Sequence, residues 1–117
     1  MQAVADRLNR SWPTASTRAH AVVDYYRLAE TDYPALLLRK GFGAKEIGTH
    51  AGLADTSLML ALDPLSVRTD VMASKPPSPA DGVYGDPRRS SAELGQPGVD
   101  VIVAGTADAI RKAVARR

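Results

Sequence analysis

The chain has 117 residues, 44% of them hydrophobic, with 15 basic against 13 acidic side chains, a net charge of +2 and no cysteine. A chain this long forms at most one small domain, burying somewhat over about 60% of its unfolded surface. So small an excess of charge makes no basic face for nucleic acid, and the lack of cysteine excludes disulfides, zinc ribbons and thiol catalysis. No apolar run approaches the roughly 18 residues needed to span a bilayer, and Met1-Gln2-Ala3-Val4-Ala5-Asp6-Arg7 lacks the basic-then-apolar pattern of a secretion signal. A soluble, cytoplasmic chain with no membrane or nucleic-acid partner is expected.

Along the chain, Val4 and Leu8 at i and i+4 predict a helix over 1–10 that ends before Pro13. Ala19-His20-Ala21-Val22-Val23-Asp24-Tyr25-Tyr26 is β-branched and aromatic with little polarity on either face. That pattern predicts a strand buried on both sides, as in a parallel sheet. A short helix follows over 33–40, with Asp32 as its cap, Pro34 in its first turn and Arg39-Lys40-Gly41 as its stop. Residues 41–48 read as a mobile loop, and an internal helix, apolar around most of its circumference, runs over 52–62 to stop at Asp63-Pro64. A weak second strand falls at 69–72.

Residues 73–87 hold Pro76, Pro77, Pro79, Gly82, Gly85 and Pro87, too many breakers for a regular element, and predict a long loop or linker. Ser90-Ser91-Ala92-Glu93 fits a capping box. From there a C-terminal helix over 90–116 carries an apolar stripe of Val99, Ile102, Val103, Ile110 and Val114, with Pro97 and Gly98 kinking it or resetting its start. Arg111, Lys112, Arg116 and Arg117 complement the dipole at the end of this helix. The doubly buried strand needs a neighbour on each edge. Either another chain completes the sheet, or the sequence belongs to a larger domain.

Two histidines are candidates for chemistry. His20 starts the predicted strand, away from any other ligand-type residue, and reads as structural or superficial. His50 lies in Gly48-Thr49-His50-Ala51-Gly52, ahead of Leu53-Ala54-Asp55-Thr56-Ser57-Leu58-Met59-Leu60-Ala61-Leu62. The small neighbours leave room for a ligand, and a helix mouth favours a neutral imidazole. His50 reads equally well as a helix cap. Asp55, in the first turns of the same helix, is either a supporting carboxylate or an ordinary N-terminal acid. Asp24, Tyr25, Tyr26 and Arg27 fall at the carboxyl end of the predicted strand, where open α/β sheets place ligands, although packing and an Asp24–Arg27 pair also explain them. There is no His-Glu-x-x-His, no phosphate loop and no Gly-x-Ser-x-Gly, and no complete metal site follows from spacing.

Gly48-Thr49-His50-Ala51-Gly52 with Asp55 through Leu62, then Gly82-Val83-Tyr84-Gly85-Asp86-Pro87 and Ala92-Glu93, resembles the creatininase (creatinine amidohydrolase) family. Asp24-Tyr25-Tyr26-Arg27 resembles the strand end that precedes this motif, and the order and spacing match the family's C-terminal half. The resemblance implies an α/β fold: a partial three-layer creatininase-like domain over 1–117, its parallel sheet incomplete in this chain.

It also implies hydrolysis of a cyclic or peptide-like amide by a divalent metal, zinc or manganese, that activates water. His50 matches the catalytic proton carrier. Thr49 and Asp55 stand where the family has glutamates. The family's metal ligands lie in an N-terminal half for which no residue here stands, so the chain is expected to be inactive alone and to act with that missing half or in a homo-oligomer. The implied substrates are small amides: creatinine, a formylated pyrimidine intermediate or a modified precursor peptide of the mycofactocin type. The alternative is a non-catalytic remnant or interaction module.

Overall fold

The computed structural model describes residues 1–14 and 16–115. It is built of helices, with no β-strand among the described residues beyond one isolated bridge between His50 and Tyr84. The α/β architecture with an incomplete parallel sheet is therefore wrong for this chain. The helices are α1 (Gln2–Ser11), α2 (Asp24–Arg27), α3 (Tyr33–Arg39), α4 (Ala44–Ile47), α5 (Leu53–Leu62), α6 (Thr69–Ser74) and α7 (Ala92–Ala115). A π turn over Leu28–Asp32 joins α2 to α3 without a break.

The stretch read as a buried strand lies partly in an irregular segment and partly in α2. Tyr25 and Tyr26 are about half exposed and meet each other edge to face, with centroids 5.4 Å apart. Preference for a strand depends on what covers the residues, and the covering here favours helix. Leu28, Tyr33 and Leu37 are buried, and both Leu28 and Tyr33 pack on α7, against Gly105 and Gly98 respectively. In a regular helix Leu28 and Tyr33 would point about 140° apart. The π turn between them takes in an extra residue and brings both side chains to the same neighbour. With no strand among the described residues, the argument that sheet edges need partners lapses. The second strand expected at 69–72 is α6, and the loop expected over 41–48 contains α4.

Asp32 does not cap α3 with its side chain, because the helix arrives continuously from the π turn; its carboxylate pairs with Arg27 instead. The other end of the 12–23 segment is tied to α1. Asn9 donates from Nδ2 to the Ala19 carbonyl at 2.9 Å, and its Oδ1 accepts from the Ala19 N–H at 2.8 Å.

The core is small: Tyr33, Leu37, Ile47, Leu53 and Ala54, bordered by Leu36, Phe42, Leu58 and Leu94. The Tyr33 hydroxyl donates to the Leu94 carbonyl at 3.2 Å, tying α3 to the start of α7. Helices α5 and α7 make the closest crossing. A Cβ on Gly95 would sit 1.9 Å from the Ser57 carbonyl oxygen, so only glycine allows this approach. Ser57 is fully buried, and its Oγ accepts from the Ser91 N–H at 3.3 Å. The cap of α7 is Ser91, whose Oγ accepts from Leu94 N–H, while Ser90 donates to the Leu53 carbonyl.

Pro97 lies inside α7, and the helix neither restarts nor breaks there. The apolar stripe is only in part the packing face, with Val99 and Ile102 half-buried. Gly95 and Gly98 are buried, whereas Val103, Ile110 and Val114 are 59%, 47% and 51% exposed. Glycines hold this helix to the core, Gly95 against the Ser57 backbone and Gly98 and Gly105 against the side chains of Tyr33, Leu58 and Leu28. Helix α5 is likewise internal only in its first half, since Met59 and Leu62 are exposed. The molecule measures 57 × 28 × 26 Å with a radius of gyration of 17.7 Å, against about 13 Å for a compact domain of this length. No described helix is long and apolar enough to cross a membrane.

Candidate active site

His50 is held by backbone on two sides. Helix α4 ends at Gly48, whose backbone (φ 73°, ψ −176°) lies in a region open essentially to glycine alone. The chain then runs beside Tyr84. The Tyr84 carbonyl accepts from Thr49 N–H at 2.8 Å and from His50 N–H at 3.4 Å, and Tyr84 N–H donates back to the His50 carbonyl at 2.8 Å. Three glycines make this approach possible: a Cβ on Gly48 would stand 2.2 Å from the Tyr84 oxygen, and one on Gly85 2.6 Å from the Gly52 Cα. Asp86 N–H donates to the Glu46 carbonyl at 2.9 Å, which extends the clamp to α4. The 48–52 and 82–87 motifs, separated in the chain by residues 53–81, are thus one structural unit.

Ala51 turns the chain into α5 with a φ of 51°. Its N–H donates to Asp55 Oδ2 at 2.8 Å, and Thr56 Oγ1 donates to its carbonyl at 3.3 Å. Asp55 therefore stabilises the left-handed turn that carries His50. Both residues line a cleft of about 340 Å³, walled by Met59, Val67, Arg68, Val71, Met72 and Val83. The size is that of a small-ligand site, and the lining is mainly apolar with a few polar groups, as such sites commonly are. The walls contributed by 67–72 were not visible in the sequence, where this stretch read as a weak strand; its only signal was the apolar set Val67, Val71 and Met72 beside Arg68.

Beside the cleft, Asp86 and Arg88 pair with each other, as do Glu46 and Arg89. Asp86 caps the turn Pro87–Arg89 by accepting from Arg88 N–H at 3.1 Å, and the Arg88 side chain bonds the same carboxylate at 2.6 Å, which holds the Asp86 carboxyl below its usual range. Arg89 pairs with Glu46 at 3.2 Å and lies 4.5 Å over the Phe42 ring, a cation–π contact.

The other residues singled out from sequence lie elsewhere. Thr49 is exposed beside His50, held by its N–H to Tyr84. His20 lines a separate cleft of about 350 Å³ with Asn9, Asp24 and Lys112, and none of its lining residues is shared with the His50 cleft. Tyr25, Tyr26 and Arg27 are on α2, again apart from His50. Arg111 and Lys112 are in the last turns of α7, and Lys112 pairs with Asp108 at 2.7 Å; Arg116 and Arg117 lie outside the described residues.

A backbone clamp at the surface that presents an exposed imidazole and a carboxylate on a small, mainly apolar cleft is a layout that suits a small-molecule site. The family model described as creatinine amidohydrolase matches residues 1–110, and the chain belongs to the creatininase family, a family of amidohydrolase type. No curated protein and no solved structure matches the chain.

The family is generally metal-dependent. Among the described residues no three His, Asp, Glu or Cys side chains converge as ligands. His50 and Asp55 share the cleft, but Asp55 is engaged by the Ala51 N–H. Three protein ligands are the usual minimum for a catalytic metal, and this set does not fit one.

Proposed function

We propose that the chain supplies the proton-carrying, substrate-lining wall of a creatininase-family hydrolase acting on a cyclic or peptide-like amide. His50 is the proton carrier. Breaking an amide C–N bond leaves a basic nitrogen that must be protonated as it departs, and an imidazole does this at neutral pH. The observation that carries this reading is the clamped backbone of His50 at the cleft, which fixes the imidazole's origin without using its side chain. Asp55 supports the same turn from below, and the apolar walls hold the body of the substrate.

On this reading the water-activating metal ligands belong to a second polypeptide segment, corresponding to the family's N-terminal half, or to another copy. Support for a partner comes from the extended shape and from the apolar side chains left in water: Leu62 at 65% and Leu65 at 97% exposure near the cleft, and the outer face of α7.

The test has two arms. The purified chain, supplied with zinc or manganese, should not hydrolyse creatinine and should retain no stoichiometric metal; turnover with bound metal would show that no second segment is needed. Mixed with a polypeptide that carries the family's Glu, His and Asp ligands, it should gain amidase activity, and His50→Ala should lower that activity by about 10²-fold. Unchanged turnover in that variant removes His50 from the chemistry. Stable association without any turnover would favour a non-catalytic interaction role for the same surface.

A further inference from the structure

Two charged side chains line the His50 cleft besides the histidine: Asp55, which accepts from the Ala51 N–H, and Arg68. Lys75 pairs with Asp81 at 2.7 Å, Arg88 with Asp86, and Arg89 with Glu46. Arg68, among these neighbours, makes no ion pair and no side-chain hydrogen bond with any described residue. It lines the His50 cleft and also an adjoining hollow of about 170 Å³, which shares Val71, Met72, Val83 and Pro87 with that cleft. Arg68 thus borders two adjoining hollows, the first of them mainly apolar. A planar fork of N–H donors suits a carboxylate, which it can bind through two parallel hydrogen bonds.

We propose that Arg68 is an anion-recognition residue, and that the ligand of this cleft is an amide that also bears a carboxylate, with an apolar body between the two. The carboxylate pairs with Arg68, Val71 and Met72 cover the apolar part, and the amide reaches His50. This deepens the hydrolase reading by naming a substrate class, an N-acyl amino acid or its equivalent, and rests on that reading only for the role of His50. Hydrogen bonds between ionised partners are the stronger kind, and in a cleft open to solvent a preference of at least tenfold for acid over neutral analogue is expected.

The chain offers its own reporters. It has three methionines: Met59 and Met72 in the cleft, and Met1 at the far terminus. With the chain labelled at the methionine methyl groups, titration with N-acetyl-L-leucine should move the Met59 and Met72 NMR signals and leave Met1 in place. N-acetyl-L-leucinamide, which lacks the charge, should need at least ten times the concentration. Arg68→Gln should erase this difference, and Arg68→Lys should keep part of it. Arg68 is exposed, so neither change disturbs the core. The proposal is overturned if acid and amide titrate alike, if Arg68→Gln keeps the preference, or if neither ligand moves Met59 and Met72. His50→Ala should retain the preference, so a failure of the proton-carrier assignment and a failure of the Arg68 assignment give different results.

Discussion

Replacing Gly48 with alanine separates two contributions that hold His50 in place. The first is conformational: at φ 73° and ψ −176° a side chain is strained by about 1–3 kcal/mol. The second is contact. The new Cβ would lie 2.2 Å from the Tyr84 carbonyl oxygen, which must retreat by about 1 Å to reach ordinary separation, and the 2.8 Å bond from Thr49 N–H then exceeds hydrogen-bond length. Losing that bond and the longer one from His50 adds about 1 kcal/mol each, for a total of about 3–5 kcal/mol.

Gly41 supplies the control, since its φ is 90° but no atom lies within 4 Å of a Cβ there. Gly41→Ala therefore carries the strain alone. In urea unfolding followed by circular dichroism, Gly48→Ala should lower the midpoint by about 1 M or more, and clearly more than Gly41→Ala does. Hydrogen exchange at the Thr49 and Tyr84 amides should quicken in Gly48→Ala only. Equal losses in the two variants would refute the claim that the Tyr84 carbonyl is the obstacle.

Gly95→Ala should destabilise the chain by about 1–3 kcal/mol in thermal melts although alanine is the better helix former by about 1 kcal/mol, because its Cβ would meet the Ser57 carbonyl at 1.9 Å; a gain in stability would remove the close α5–α7 crossing. Burial pushes the Tyr33 hydroxyl from 10.0 up to about 12, with the charge of Asp55 adding to the rise. Below pH 10 folded and unfolded chains both keep this proton. Between pH 10 and about 12 only the unfolded chain releases it, so stability should fall with rising pH by up to about 3 kcal/mol. Denaturant midpoints across this range check the slope, and Tyr33→Phe should flatten it.

Much of the local structure was legible because its causes are local. Pro34 and Arg39-Lys40-Gly41 mark a helix at 33–40, and the structure has α3 at Tyr33–Arg39; the helix expected over 52–62 is α5 at Leu53–Leu62. Asp86-Pro87 makes the turn that such a pair favours. The contiguous motif around His50 was visible as a unit, as was the second motif around Gly85. Their meeting was not legible, since nothing in either stretch says that the Tyr84 carbonyl serves the amides of Thr49 and His50.

By itself, then, the sequence determined the chain's punctuation, its family and the histidine to watch: proline, glycine and capping residues act within a few positions, and a motif is a string of neighbours. Tertiary structure alone decided the secondary structure of 19–32, the packing face of α7 and the walls of the cleft. Val22, Val23, Tyr25 and Tyr26 favour a strand only when a sheet covers both their faces. Here Leu28 and Tyr33 anchor the following turns to Gly105 and Gly98 of α7, more than sixty residues away, and helix results. In the same way glycines that look like weak points in α7 form its packing face, because their missing Cβ leaves room for the Ser57 backbone at Gly95 and for the Tyr33, Leu58 and Leu28 side chains at Gly98 and Gly105.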